Sequence, residues 1–131
     1  MKNMIIEATN YSPLVEFYPD GKMVIRGRSI LDDTLSFYKP LLELITQCNS
    51  SKFFIVMNIE LMNTNSLKHI LKILSEIKRH FGSENCEIHW YYEKGDEDMI
   101  DIGKFFETIL QKSFHFYEMS ESEDVRFLQY V

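Results

Sequence analysis

Strands that alternate with amphipathic helices along a chain of 131 residues predict a single α/β domain whose central strands pair largely in parallel. Three observations carry this expectation. Phe53-Phe54-Ile55-Val56-Met57, running on through Asn58 to Met62, is short, β-branched and aromatic, as a buried strand is. Leu67, Ile70, Leu71, Leu74, Ile77 and Phe81 follow at helical spacing, with Lys68, Lys72, Glu76 and Arg79 largely on other faces. Cys86, Ile88, Trp90 and Tyr92 then alternate with Glu87, His89 and Tyr91 in the period of two that marks a strand.

The remaining elements fit around these. Ile5-Ile6 opens the fold as a short strand. Leu14 to Phe17 and Met23 to Ile25 flank Tyr18-Pro19-Asp20-Gly21, where Pro in the second and Gly in the fourth position suit a type I turn, so a β-hairpin is expected. Arg26-Gly27-Arg28-Ser29 reads as a polar exit from that hairpin. Asp32 and Asp33 sit where a first helical turn prefers acids. Leu35, Tyr38, Leu41, Leu42, Ile45 and Cys48 continue at helical spacing, with Pro40 expected to kink or restart the helix because it lacks an N–H. Gly82 is a plausible stop for the next helix. Beyond Lys94-Gly95, Asp96-Glu97-Asp98 head a third helix through Ile100, Phe105, Phe106 and Ile109, with Gly103 as its weak point. Phe114 and Phe116 mark a last short strand. The tail, residues 119–131, is first acidic and then apolar, and periodicity does not place it.

Composition excludes several classes. An apolar fraction of 45% with 14% aromatic residues argues against disorder. The net charge is −6 and no basic run exceeds Lys78-Arg79-His80, which speaks against nucleic acid as the main partner. No apolar run approaches a membrane span and the N-terminus lacks a signal-peptide pattern. Cys48 and Cys86 have no metal spacing and read as core residues in a reducing compartment, so the expected location is the cytoplasm. The glycines are too scattered for a nucleotide-binding loop, and there is no nucleophile elbow or zinc-protease pair. The four histidines have no ligand spacing; His89 and His115 fall on predicted strands that a sheet can bring side by side, where a hydrogen-bonded histidine is commoner than a ligand. Glu93, Asp96, Glu97, Asp98 and Asp101 fail the calcium-loop pattern, and acids at a helix start are already stabilised by the dipole. No cofactor is expected.

The junction Asn63-Thr64-Asn65-Ser66 carries the functional clue. It lies between strand and helix, where the first N–H groups lack partners and side-chain oxygens accept their bonds. A plain helix cap and a regulated hydroxyl both fit, since a phosphate at a helix N-terminus is electrostatically tolerated. Local chemistry does not separate the two.

Several pieces, taken together, extend over almost the whole chain. They are Ile25-x-Gly27-Arg28-Ser29, Phe37-Tyr38-x-Pro40-Leu41, Asn63-Thr64-Asn65-Ser66-x-x-His69, and Trp90-Tyr91-Tyr92-Glu93 leading to Asp96-Glu97-Asp98-Met99-x-x-x-Gly103. In this order they resemble the SiaC-type family of small bacterial regulatory phosphoproteins, which are similar to STAS-domain anti-sigma-factor antagonists. The resemblance implies a STAS-like domain with a mixed, partly parallel sheet, an N-terminal hairpin and about three helices. It implies no enzymatic activity of the chain itself. It places a phosphorylated hydroxyl at Thr64, with Ser66 as second choice, and partner contacts at Asn63, Asn65, Ser66, Lys68, Arg28, Asp96 and Asp98. It also implies a GHKL-type kinase, a PP2C-type phosphatase and an effector, a diguanylate cyclase, that the unmodified form activates, raising cyclic-di-GMP and favouring biofilm formation.

Two other readings stand beside this one. In the first, the domain is an α/β ligand-binding module or structural subunit in which Asn63 to Ser66 merely cap a helix and Arg26 and Arg28 bind an anion. In the second, it is a small enzyme that uses the acidic cluster.

Overall fold

The computed structural model describes residues 1–120, which form six strands and three α-helices. In chain order these are β1 (Met4–Ile6), β2 (Leu14–Tyr18), β3 (Lys22–Ser29), α1 (Thr34–Gln47), β4 (Phe53–Met62), α2 (Thr64–Phe81), β5 (Cys86–Glu93), α3 (Glu97–Leu110) and β6 (His115–Met119). One sheet holds the strands in the order β1-β2-β3-β4-β5-β6. The pairs β1–β2 and β2–β3 are antiparallel; β3–β4, β4–β5 and β5–β6 are parallel. The expected mixed α/β sheet with an N-terminal hairpin is what forms. The tail beyond Ser120 lies outside the described residues.

Each parallel step moves to the next strand in the same direction, so right-handed crossovers put all three helices on one face. That face carries the main core: Val15 and Phe17, Met23 and Ile25, Ile55, Met57 and Ile59, and Ile88 and Trp90 pack beneath Tyr38, Leu41, Ile45, Ile70, Ile73, Leu74, Ile77 and Phe106. The opposite face has a smaller apolar cluster of Val24, Val56, Tyr91 and Met119, flanked by Phe54 and Tyr117.

The hairpin closes as its residues dictate. The Gly21 N–H donates to the Tyr18 carbonyl at 3.0 Å, and Gly21 takes φ +110°, which only glycine adopts without strain. Arg26 to Ser29 are not a loop: β3 runs through Ser29 and pairs with β4, with a bulge between Gly27 and Arg28. Paired strand residues satisfy their backbone groups in the ladder, and this outweighs the polar side chains that suggested an exit.

Asp33 is the N-cap of α1 rather than a first-turn acid, accepting from the Ser36 N–H at 3.1 Å and the Ser36 hydroxyl at 2.7 Å. Those two bonds hold its carboxyl below the usual carboxylate range. The helix passes unbroken through Pro40. Pro40 and Ser36 are both exposed, so water reaches the carbonyl that Pro40 leaves without a donor. Leu35, expected in the core face, is 54% exposed.

The third helix is rotated from its expected phase. Its buried residues are Met99, Gly103, Phe106 and Leu110, whereas Phe105 and Ile109 are 56% and 47% exposed. Gly103 is no weak point. A Cβ placed there would lie 2.7 Å from a Phe116 ring carbon and 2.8 Å from Trp90 Nε1. The missing side chain lets the helix seat directly on Trp90, whose indole N–H donates to the Met99 carbonyl at 2.9 Å.

Candidate functional site

The candidate site lies where β3, β4 and β5 end, the edge at which open α/β sheets present their ligand and partner surfaces. At the end of β4, Asn63 is the N-cap of α2. Its side-chain oxygen accepts from the Ser66 N–H at 2.9 Å, and its amide donates to the Leu31 carbonyl at 2.9 Å. The Asn63 N–H in turn reaches the Ser29 carbonyl at 3.1 Å. One residue thus ties the helix start to the end of β3 and to the segment entering α1. The helix itself begins at Thr64, three residues earlier than the apolar periodicity alone marks it.

The two candidate hydroxyls occupy opposite environments. Thr64 is the first helical residue and its side chain is exposed. Ser66 is completely buried. Its Oγ accepts from the Ser29 hydroxyl at 2.8 Å, and Ser29 Oγ lies 2.6 Å from the Tyr38 hydroxyl. Because Ser29 has one proton and gives it to Ser66, Tyr38 must donate to Ser29. Burial pushes the Tyr38 phenol up to about 12, so that donor keeps its proton at any physiological pH. A chain of three buried hydroxyls therefore links β3, α1 and α2 beneath the exposed threonine. His69, one turn further along α2, stacks on Tyr38 with ring centroids 6.0 Å apart and contacts the Asn65 carbonyl through Nδ1 at 3.0 Å.

Electrostatics at the junction favour an anion on Thr64. The Ser66 and Leu67 N–H groups are taken by Asn63, which leaves the N–H groups of Thr64 and Asn65 at the positive end of an 18-residue helix. Lys68 is exposed one turn on, on the same side as Thr64. The first turn of α2 contains no acid.

The other sequence-derived contacts divide. Asn65 and Lys68 are exposed beside Thr64; Asn63 and Ser66 are turned inward as cap and buried hydroxyl. Arg28 is exposed at the end of β3 and pairs with Glu60 at 3.3 Å, both side chains about half exposed, so the pair adds little stability. An open cleft of about 520 Å³ beside it is lined by Arg26 and Arg28 but also by Glu7 and Glu60, which offset the arginines as an anion trap. Asp96 caps α3, accepting from the Met99 N–H at 3.1 Å, and Asp98 is exposed in the first turn of that helix. Among the described residues the acidic cluster brings no three ligand atoms together. Ser29, Tyr38 and His69 belong to this site although sequence reasoning gave them no role. They come from three separate elements, and only the fold makes them neighbours.

The fold has counterparts among solved structures. SiaC of Pseudomonas aeruginosa superimposes with a TM-score of 0.77 at 17% identity, covering 92% of this chain and 100% of that one. The structure of apo-SiaC from the same organism gives 0.70 at 16% identity, with 91% and 99% covered. A chain from the complex of the diguanylate cyclase SiaD with its activator SiaC, also from Pseudomonas aeruginosa, gives 0.77 at 17% identity, with 90% and 99% covered. These likenesses establish the shared fold. No match emerges among curated protein sequences. The profile of the SiaC family of regulatory phosphoproteins matches residues 6–119, nearly the whole domain, and the chain belongs to that family.

Proposed function

We propose that this protein is the phosphorylation-controlled member of a partner-switching system and that Thr64 carries the phosphate. The unmodified form binds and activates a diguanylate cyclase; phosphorylation of Thr64 by a GHKL-type kinase releases it, and a PP2C-type phosphatase restores it. The protein acts in the cytoplasm as a binding partner and catalyses no reaction itself. The observation that carries this reading is the contrast at the start of α2. Thr64 offers an exposed hydroxyl at a helix N-terminus, whereas Ser66 is sealed in the hydroxyl chain with Ser29 and Tyr38. A kinase reaches the first without disturbing the fold and the second only by breaking three elements apart. The complex of SiaD with its activator SiaC supports the choice of effector.

The switch follows from differential affinity. A phosphoryl group adds roughly −1.5 to −2 charge and a tetrahedral bulk at the rim of the docking surface. Lys68 and the free helix N–H groups stabilise it on this protein, while a partner surface shaped to the bare threonine loses contact. The test is an assay of the cognate cyclase alone, with the unmodified protein and with protein phosphorylated on Thr64. The expected result is cyclase activation by the unmodified protein and activity near the basal level with the phosphorylated form. Equal activation by both forms would remove Thr64 as the switch.

A further inference from the structure

At the opposite end of the sheet from Thr64, a cluster of three side chains lies on the face not covered by helices. Glu87 and His89 are two residues apart on β5 and therefore point to the same side. The parallel register of β5 and β6 sets His115 directly beside His89. The Glu87 carboxylate oxygen Oε1 lies 3.6 Å from Nε2 of His89 and 3.6 Å from Nε2 of His115, and each residue offers one ligand atom within 4.8 Å of those of the other two.

His89 is the informative member. Its side chain is only 5% exposed, yet Nε2 has no hydrogen-bond partner among the described residues. The 3.6 Å separation from Glu87 is too long for a hydrogen bond, so a buried nitrogen faces a carboxylate without bonding to it. The ring is also fixed in place. Phe54 stacks on it at 4.0 Å between centroids, and Nδ1 lies 2.8 Å from the Tyr117 hydroxyl. A hydrogen bond at one imidazole nitrogen that orients the other is the usual support for a metal-ligating histidine.

We propose that Glu87, His89 and His115 form a binding site for a zinc-type divalent cation, with a fourth position open to solvent. A tetrahedral ion with bonds of about 2.0–2.1 Å holds its ligand atoms about 3.3 Å apart. Both distances from the carboxylate are already near that value. Completing the set takes a rotation of the 54% exposed His115 side chain out of its stack on His89, where the two rings lie 4.6 Å apart and 13° from parallel. Two imidazoles and one carboxylate suit zinc and its first-row neighbours, not magnesium or calcium, which prefer all-oxygen sets. The bound ion ties β6 to β5 across the sheet and satisfies the buried nitrogen. The site shares no residue with the Thr64 junction, so it stands or falls independently of the phosphorylation switch.

The test uses full-length protein without a histidine tag, stripped of metal and titrated with zinc(II) by calorimetry, then with cobalt(II) by visible absorption. The expected result is one ion per chain, a four-coordinate cobalt spectrum and a rise in melting temperature of roughly 10 °C at a hundredfold excess of zinc over its dissociation constant. Magnesium should leave the melting temperature unchanged. His115→Ala changes an exposed side chain and should fold like wild type by circular dichroism while binding zinc at least about tenfold more weakly; Glu87→Gln should weaken binding in the same way. His69→Ala and His80→Ala should bind like wild type. Absence of stoichiometric uptake by the wild type, or uptake retained in His115→Ala, would overturn the assignment and leave His89 Nε2 to a water molecule.

Discussion

Thr64→Asp is expected to bind the effector cyclase roughly tenfold more weakly than wild type, a loss of about 1.4 kcal/mol, whereas Thr64→Ala binds within about threefold of it. Both substitutions fall on an exposed first-turn residue with no role in the hydroxyl chain below. An acid at that position is favoured by the helix dipole, so Thr64→Asp should be at least as stable as wild type and lost binding cannot be attributed to unfolding. Asp carries one charge where phosphate carries up to two and lacks its bulk, so the phosphorylated protein should bind more weakly still. Thr64→Ala should bind and activate in a way that no kinase can reverse. Calorimetric titration of the four forms against the cyclase ranks them. An Asp variant as tight as wild type would mean that the partner does not dock against this end of α2.

Gly103→Ala is expected to destabilise the domain by up to about 2 kcal/mol, and Gly103→Val by more. Two effects oppose each other here. Alanine gains about 1 kcal/mol over glycine in a helix interior. The new methyl group would sit within 3 Å of Trp90 and Phe116 ring atoms, and overpacking of this kind costs about 1–3 kcal/mol. Trp90 is held by its bond to the Met99 carbonyl and by the ring of Phe106, at 5.6 Å between centroids, so it cannot move aside cheaply. The overpacking therefore wins. Urea unfolding measures the difference, and a stabilised Gly103→Ala would show that the space between α3 and the sheet has slack.

The same glycine explains where sequence reasoning lost its way. Met99, Gly103, Phe106 and Leu110 are spaced by four, three and four residues, a complete helical stripe in which glycine stands as the smallest core residue. Counted as a breaker, Gly103 drops out, and Phe105 and Ile109 take over a face that in fact meets solvent. Ser66 follows the same logic: with Ile70, Ile73 and Ile77 it completes the buried stripe of α2, one turn before Ile70. Its burial was thus legible in spacing, but a serine in a polar run signals a surface cap more strongly.

What the sequence made plain was local. Period-two and period-3.6 patterns located the central strands and helices, Pro19 and Gly21 located the hairpin, and the hydroxyl-rich junction located the candidate site. What it left hidden was contact between distant segments. Ser29, Tyr38 and Ser66 span 37 residues of chain and meet only after β3, α1 and α2 have packed. His89 and His115 become neighbours through a parallel register that no local pattern fixes. The motif pieces that carry the family resemblance prove to be of two kinds in the fold. Ser29, Tyr38, Ser66 and His69 brace the start of α2, while Trp90, Met99 and Gly103 seat α3 on the sheet, and Thr64 is their exposed aliphatic hydroxyl.

Mapping of phosphate on the protein recovered from its native host, by intact mass and fragmentation with a Thr64→Ala control, tests the central claim most directly. The account predicts a single phosphate on Thr64 that is absent from the control. A phosphate on Ser66 or elsewhere, or a protein left unmodified when its kinase is active, would contradict it.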